Sequence, residues 1–135
     1  MNQDTFAELK DVTSKIFNIT ELNILDKTRS LSKTLQNYIT LLVSELDELK
    51  DIKQQREYLY GQLYKFYKED YNRELESKHE YENYIYSNDK YNTLSIEVNR
   101  QEIIVKYLEE TIDNIKKLSF NIKNWLEIKK YLEGN

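Results

Sequence analysis

The chain has 135 residues, of which 39% are hydrophobic and 33% charged, with no Pro, no Cys and only two glycines. Sheet-rich folds draw on Gly and Pro for their turns, so this composition argues against β and α/β folds and for long helices. The missing cysteines exclude disulfides, thiolate metal sites and thiol nucleophiles. The net charge of −4 does not announce a nucleic-acid binder, although local patches rather than the total set a contact field.

Along the chain the charge is uneven: residues 1–49 carry net −3, 50–78 net +1, 79–114 net −5 and 115–135 net +3. The opening residues Met1 to Phe6 lack the basic and apolar regions of a signal peptide. No apolar run approaches the roughly 18–20 residues that span a bilayer. The expectation is a soluble protein of the cytoplasm.

Apolar spacing is helical almost throughout. Phe6, Leu9, Val12 and Ile16 predict a helix over about 4–17. Asn18, Thr20, Asn23 and Asp26 are cap and turn types and predict a connection. Leu31, Leu35, Tyr38, Leu42, Leu49, Ile52, Leu59, Leu63 and Phe66 then step by threes, fours and sevens, with Glu45 and Arg56 at expected apolar positions. This near-heptad stripe asks for a partner helix, and nothing stops it before Gly61.

Nine of the 12 tyrosines fall between Tyr58 and Tyr91, where aliphatic residues are sparse, and broken or partly exposed helix is expected. Ser87-Asn88-Asp89 is a helix start. Behind it Tyr91, Leu94, Val98, Val105, Leu108, Ile112 and Ile115 predict a helix over about 89–117, with Gln101 as the one polar member. Ser119 and Asn121 offer a further cap before a short amphipathic helix bearing Ile122, Trp125, Ile128 and Leu132. The expected fold is all-α: one helical domain (1–26, 27–86 and 87–135), elongated and built of long amphipathic helices. Its apolar stripe exceeds what one small monomer covers, which points to a homo-oligomer; a closed monomeric bundle is the alternative.

No catalytic constellation is present. His79 is the only His and stands among charges, the two isolated glycines cannot make a phosphate loop, and the carboxylate clusters read as solvated helix faces. No metal or cofactor is expected. The feature with chemical content is the interleaving of Lys50, Lys53, Arg56, Lys65 and Lys68 with Tyr58, Tyr60, Tyr64, Phe66 and Tyr67, running on to Tyr71. Cations for phosphates and rings for bases are what a single-stranded nucleic-acid groove needs. An exposed helix face with Tyr at its margin is the plainer reading. A second basic cluster, Lys116, Lys117, Lys123, Lys129 and Lys130, suits a helix C-terminus or an assembly surface with snorkelling lysines. Ile122, Trp125, Ile128 and Leu132 are the expected assembly residues.

The second half resembles the UvsY recombination mediators of tailed bacteriophages. The resemblance is carried by Tyr84-Ile85-x-Ser87-x-x-x-Tyr91, Tyr107-Leu108-Glu109, Phe120-x-Ile122-Lys123-Asn124 and Lys130-Tyr131-Leu132-Glu133-Gly134, in that order. More loosely, Ser32-Lys33 opens the long helix, and a basic stretch runs into an aromatic-Gly corner, Tyr58-Leu59-Tyr60-Gly61. The likeness covers about 27–135. It implies a non-catalytic protein that binds single-stranded DNA as a ring-like homo-oligomer, loosens the single-strand-binding protein and helps load the strand-exchange recombinase. It implies phosphate contacts by Lys53 and Arg56, with Lys50, Lys65 and Lys68 as secondary members. Tyr58, Tyr60 and Tyr64 would stack on bases or shape the groove. Two departures stand out: the corner lacks the family's Ser, and the segment after Gly61 has neither Gly nor Pro, which lets the helix run further. A coiled-coil scaffold or adaptor without DNA affinity is the rival reading.

Overall fold

The computed structural model describes residues 1–70, 75 and 77–134. Among them every regular element is helical: α1 (Gln3–Ile16), α2 (Ile24–Lys65), a π-helical turn (Phe66–Asp70), α3 (Lys78–Tyr86) and α4 (Asp89–Glu133). Tyr71, the last member of the expected basic and aromatic stretch, lies outside the described residues.

The boundaries follow local chemistry. Asn2 caps α1, its side chain accepting from the Thr5 N–H at 2.7 Å. The connection is organised by Asn23, which accepts from the Thr20 N–H at 2.8 Å and donates to the Asn18 carbonyl at 3.0 Å. Lys27 Nζ then reaches back to the Lys15 carbonyl at 2.6 Å, satisfying one of the open acceptors at the end of α1. Ser77 caps α3. At the next boundary Ser87 ends α3, its hydroxyl donating to the Asn83 carbonyl, while Asn88 caps α4 by accepting from the Tyr91 N–H at 3.1 Å.

Gly61 lies inside α2, which continues to Lys65, because one glycine costs only about 1 kcal/mol in a helix. The expected stop near residue 117 is absent. α4 runs unbroken through Ser119 and Asn121, since a capping residue inside an apolar-striped helix is outweighed by the packing on either side of it.

The chain forms two compact units, Met1–Glu45 with Ile104–Asn135 and Leu46–Ile103. In the first, α1 packs against α2 and α4 around Phe6, Leu31, Tyr38, Ile104, Leu108, Ile112, Ile115 and Ile122. The face of α1 differs from the expected one: Thr13 is buried and Val12 is outward. The cause is a buried hydrogen bond between the Thr13 and Tyr38 hydroxyls at 2.6 Å, which serves both polar tips. Phe6 meets Tyr107 edge-on at 5.3 Å. Glu45, the first break in the α2 stripe, is buried because its carboxylate pairs with the Met1 ammonium at 3.4 Å. On α4 the buried positions 98, 101, 105, 108, 112 and 115 keep the three-and-four alternation, Ile104 and Thr111 are buried beside them, Ile122 follows seven residues on, and Gln101 sits buried within the series.

The second unit joins the C-terminal half of α2 antiparallel to the start of α4, with α3 packed beside them; Ile85 and Val98 are buried here. The described residues of the Tyr-rich stretch, expected to be broken helix, form the end of α2, the π-helical turn, α3 and the α4 start.

Candidate nucleic-acid interface

The described cations and rings of the interleaved stretch from Lys50 to Lys68 belong to the second unit. Lys53, Arg56, Tyr60 and Tyr64 follow one another by three, four and four residues, so they form one stripe along α2. All four are half-buried. Lys50 and Lys65 are exposed on α2 and Lys68 on the π-helical turn. Lys53 is engaged by Glu102 of α4 at 3.3 Å. Lys50, Arg56, Lys65 and Lys68 make no ion pair with any described residue. Arg56, the second break in the apolar stripe, is thus half-buried with no ion pair to a described residue.

The three tyrosines do not act as one group. Tyr60 and Tyr64 are joined into a chain of rings: Tyr86 to Tyr91 at 5.6 Å, Tyr91 to Tyr60 at 6.3 Å, Tyr60 stacked on Tyr64 at 6.5 Å, and Tyr64 to Tyr81 at 5.2 Å. Tyr67 meets Tyr84 at 5.3 Å. These contacts dock α3 and the start of α4 on α2 where aliphatic residues are scarce, each pair adding about 0.5–1.5 kcal/mol beyond its area. Burial, followed by the Glu82 carboxylate and the neighbouring Tyr86, Tyr91 and Tyr64, raises the Tyr60 phenol above its ordinary value. Tyr60 and Tyr64 therefore shape this flank, and their rings are already stacked within the chain.

Tyr58 is different. Two residues along a helix turn it about 200°, so Tyr58 stands on the opposite flank from Tyr60, with 70% of its surface exposed. It borders a notch with Gln55, Leu59, Lys90, Thr93 and Leu94. The sequence reading missed Tyr81, Tyr91 and Glu102 as partners of the stripe. The three- and seven-residue spacing of Tyr81, Tyr84 and Tyr91 was visible, but which helix they would meet was not.

In the first unit, Ile122 is part of the core, whereas Trp125, Ile128 and Leu132 present exposed surface, as do Phe120 and Tyr131. Lys129 Nζ lies 5.1 Å from the Trp125 ring centre. The assembly set expected from sequence thus divides into one core residue and three outward ones. Among the described residues no cluster of His, Asp or Glu is placed to hold a metal ion, and no helix is long and apolar enough to cross a membrane.

Residues 27–135 match the family model of UvsY, described as a recombination, repair and ssDNA binding protein. The chain belongs to the UvsY family. Neither curated proteins nor solved structures yielded a match. The UvsY match takes in the cationic stripe, the tyrosine chain, the notch and all of α4, while α1 precedes it. The resemblance noted in the sequence over 27–135 and the all-helical expectation therefore both hold.

Proposed function

We propose that this UvsY-family chain is a recombination mediator. It binds single-stranded DNA as a homo-oligomer, weakens the hold of the single-strand-binding protein, and helps load the strand-exchange recombinase on phage DNA in the host cytoplasm. The observation that carries this reading is the family match running across a segment, Lys50 to Lys68, whose cations other than Lys53 make no ion pair with a described residue. The work is done by binding, without a catalytic step or cofactor.

Arg56 and Lys53 take phosphates from the half-buried stripe, and Lys50, Lys65 and Lys68 widen the field. Tyr58 offers a free ring to a base, while Tyr60 and Tyr64 fix the flank beside the cations. Each subunit supplies only a few contacts. Repetition around an assembly multiplies them, and avidity can exceed the single-site affinity by roughly 10²–10⁴. The exposed Trp125, Ile128 and Leu132 are the surface assigned to assembly.

The test is anisotropy of labelled oligo-dT over a salt series. Affinity should fall log-linearly with salt, with a slope of about −0.7 per phosphate neutralised. The Lys53→Ala/Arg56→Ala variant should flatten that slope by about 1.4 while staying folded. Oligo-dT coated with single-strand-binding protein then tests the mediator step: the chain should speed recombinase filament formation on coated strands and leave bare strands little changed. Absence of binding at low salt by folded, assembled protein would remove DNA from the account.

A further inference from the structure

The notch beside Tyr58 is not part of the cationic stripe. It is built from two facing triplets with the same helical spacing: Gln55, Tyr58 and Leu59 on α2, and Lys90, Thr93 and Leu94 on α4. Positions i, i+3 and i+4 share a helix face, so each triplet presents one coherent surface to the other. Leu59 and Leu94 are half-buried and line its apolar part. Among the described residues of the unit Tyr58 is the most exposed tyrosine, and its ring takes no part in the tyrosine chain. Lys90 is exposed and makes no ion pair with any described residue. Gln55 donates its Nε2–H to Asp51 at 3.1 Å, which leaves its amide oxygen to accept. Thr93 donates its hydroxyl to the Asp89 carbonyl at 2.9 Å. Asp89 also borders the notch and adds a negative charge at its rim.

We propose that this notch holds one unstacked base of a single-stranded DNA. The base stacks on Tyr58 over Leu59 and Leu94, the Gln55 amide oxygen accepts from the base edge, and Lys90 meets the adjoining phosphate outside. Chemistry selects this occupant. An apolar floor with an exposed ring suits a flat π face, and a single free lysine suits a phosphate. The Asp89 carboxylate disfavours a free anion inside the notch, so the phosphate stays at the Lys90 side. Strand and base then meet α4 as well as α2, which adds Lys90 and Gln55 to the contact set and separates the role of Tyr58 from that of Tyr60 and Tyr64. This inference rests on the single-stranded-DNA reading above and specifies its base-binding subsite.

The experiment compares oligo-dT with an abasic oligomer of equal length, using the full chain and its Tyr58→Ala, Tyr58→Phe and Lys90→Ala variants. One lost base stack corresponds to roughly a 5- to 150-fold weakening. Tyr58→Ala should weaken oligo-dT binding by that factor, keep the salt slope, and reduce the preference for oligo-dT over the abasic strand. Tyr58→Phe should bind within about twofold of wild type, because stacking needs only the ring. Lys90→Ala should lower the salt slope by about 0.7 and keep the base preference. Wild-type protein that binds both oligomers equally overturns the notch while leaving DNA binding intact. So does a folded Tyr58→Ala variant with wild-type affinity. If Tyr58→Ala loses helicity by circular dichroism, the wild-type comparison and Tyr58→Trp decide: a Trp in the notch should be quenched by oligo-dT and not by the abasic strand, and equal quenching overturns the proposal. Failure of wild type to bind either strand instead refutes the parent reading.

Discussion

Glu102→Gln should make this protein bind single-stranded DNA more tightly. Lys53 and Glu102 approach to 3.3 Å with their side chains 44% and 49% exposed. A phosphate that takes Lys53 must first displace this carboxylate. An ion pair so open to water is worth about 0.2–1 kcal/mol, and 1.4 kcal/mol is a factor of ten in affinity. Releasing Lys53 should therefore tighten binding by about 1.4- to 5-fold per contact, and by more where several subunits hold one strand. The assay is oligo-dT anisotropy over a salt series for four proteins: wild type, Glu102→Gln, Lys53→Ala and the double variant. The gain should vanish in the Lys53→Ala background. If it persists there, Glu102 merely repels DNA and does not mask Lys53. If neither single variant differs from wild type, Lys53 is not a phosphate contact at all.

Four further outcomes are expected. Tyr38→Phe leaves the buried Thr13 hydroxyl without its partner at 2.6 Å and should cost about 1–2 kcal/mol in denaturant unfolding; adding Thr13→Val should recover part of that loss, and purely additive costs would contradict the coupling. Burial first, and then the neighbouring Tyr107, raises the Tyr38 phenol above its ordinary value despite the opposing Thr13 hydrogen bond, and Tyr60 is raised as well. Since the folded state favours the neutral phenols, their stabilisation is complete below about pH 10 and is lost as pH rises through the raised values; unfolding midpoints that hold steady above pH 10, or that fall equally in Tyr38→Phe, would count against this. Gly61→Ala meets no atom within 4 Å of the new Cβ and should stabilise the helix by about 1 kcal/mol, with a raised thermal midpoint as the readout. Ile128→Asp/Leu132→Asp should lower the assembled mass in light scattering with helicity unchanged, because both residues are exposed. This is a cleaner test than removing 118–135, which would also take Ile122 out of the core.

Much of the architecture was already written in one dimension. The three-and-four spacing of Leu31 to Phe66 and of Tyr91 to Ile115 specifies two long amphipathic helices without reference to any partner, because helical periodicity is a local property of the backbone. The Asn23 turn and the Asn88 cap are local for the same reason. The family segments from Tyr84 to Gly134 likewise carry their message in order and spacing. Tertiary contacts decided the rest. Whether Ser119 would break α4, whether Thr13 or Val12 would face inward, and why Glu45 is tolerated in an apolar stripe all depend on groups distant in the chain: the first unit's packing, the Tyr38 hydroxyl and the Met1 ammonium. The candidate binding residues divide in the same way. Their types and their clustering near Gly61 were legible, but Glu102 masking Lys53, the tyrosine chain closing over Tyr60 and Tyr64, and Lys90 facing Tyr58 are pairings between α2 and the elements beyond the π-helical turn. A residue's own spacing fixes the face it occupies on a helix, and only folding decides what that face meets.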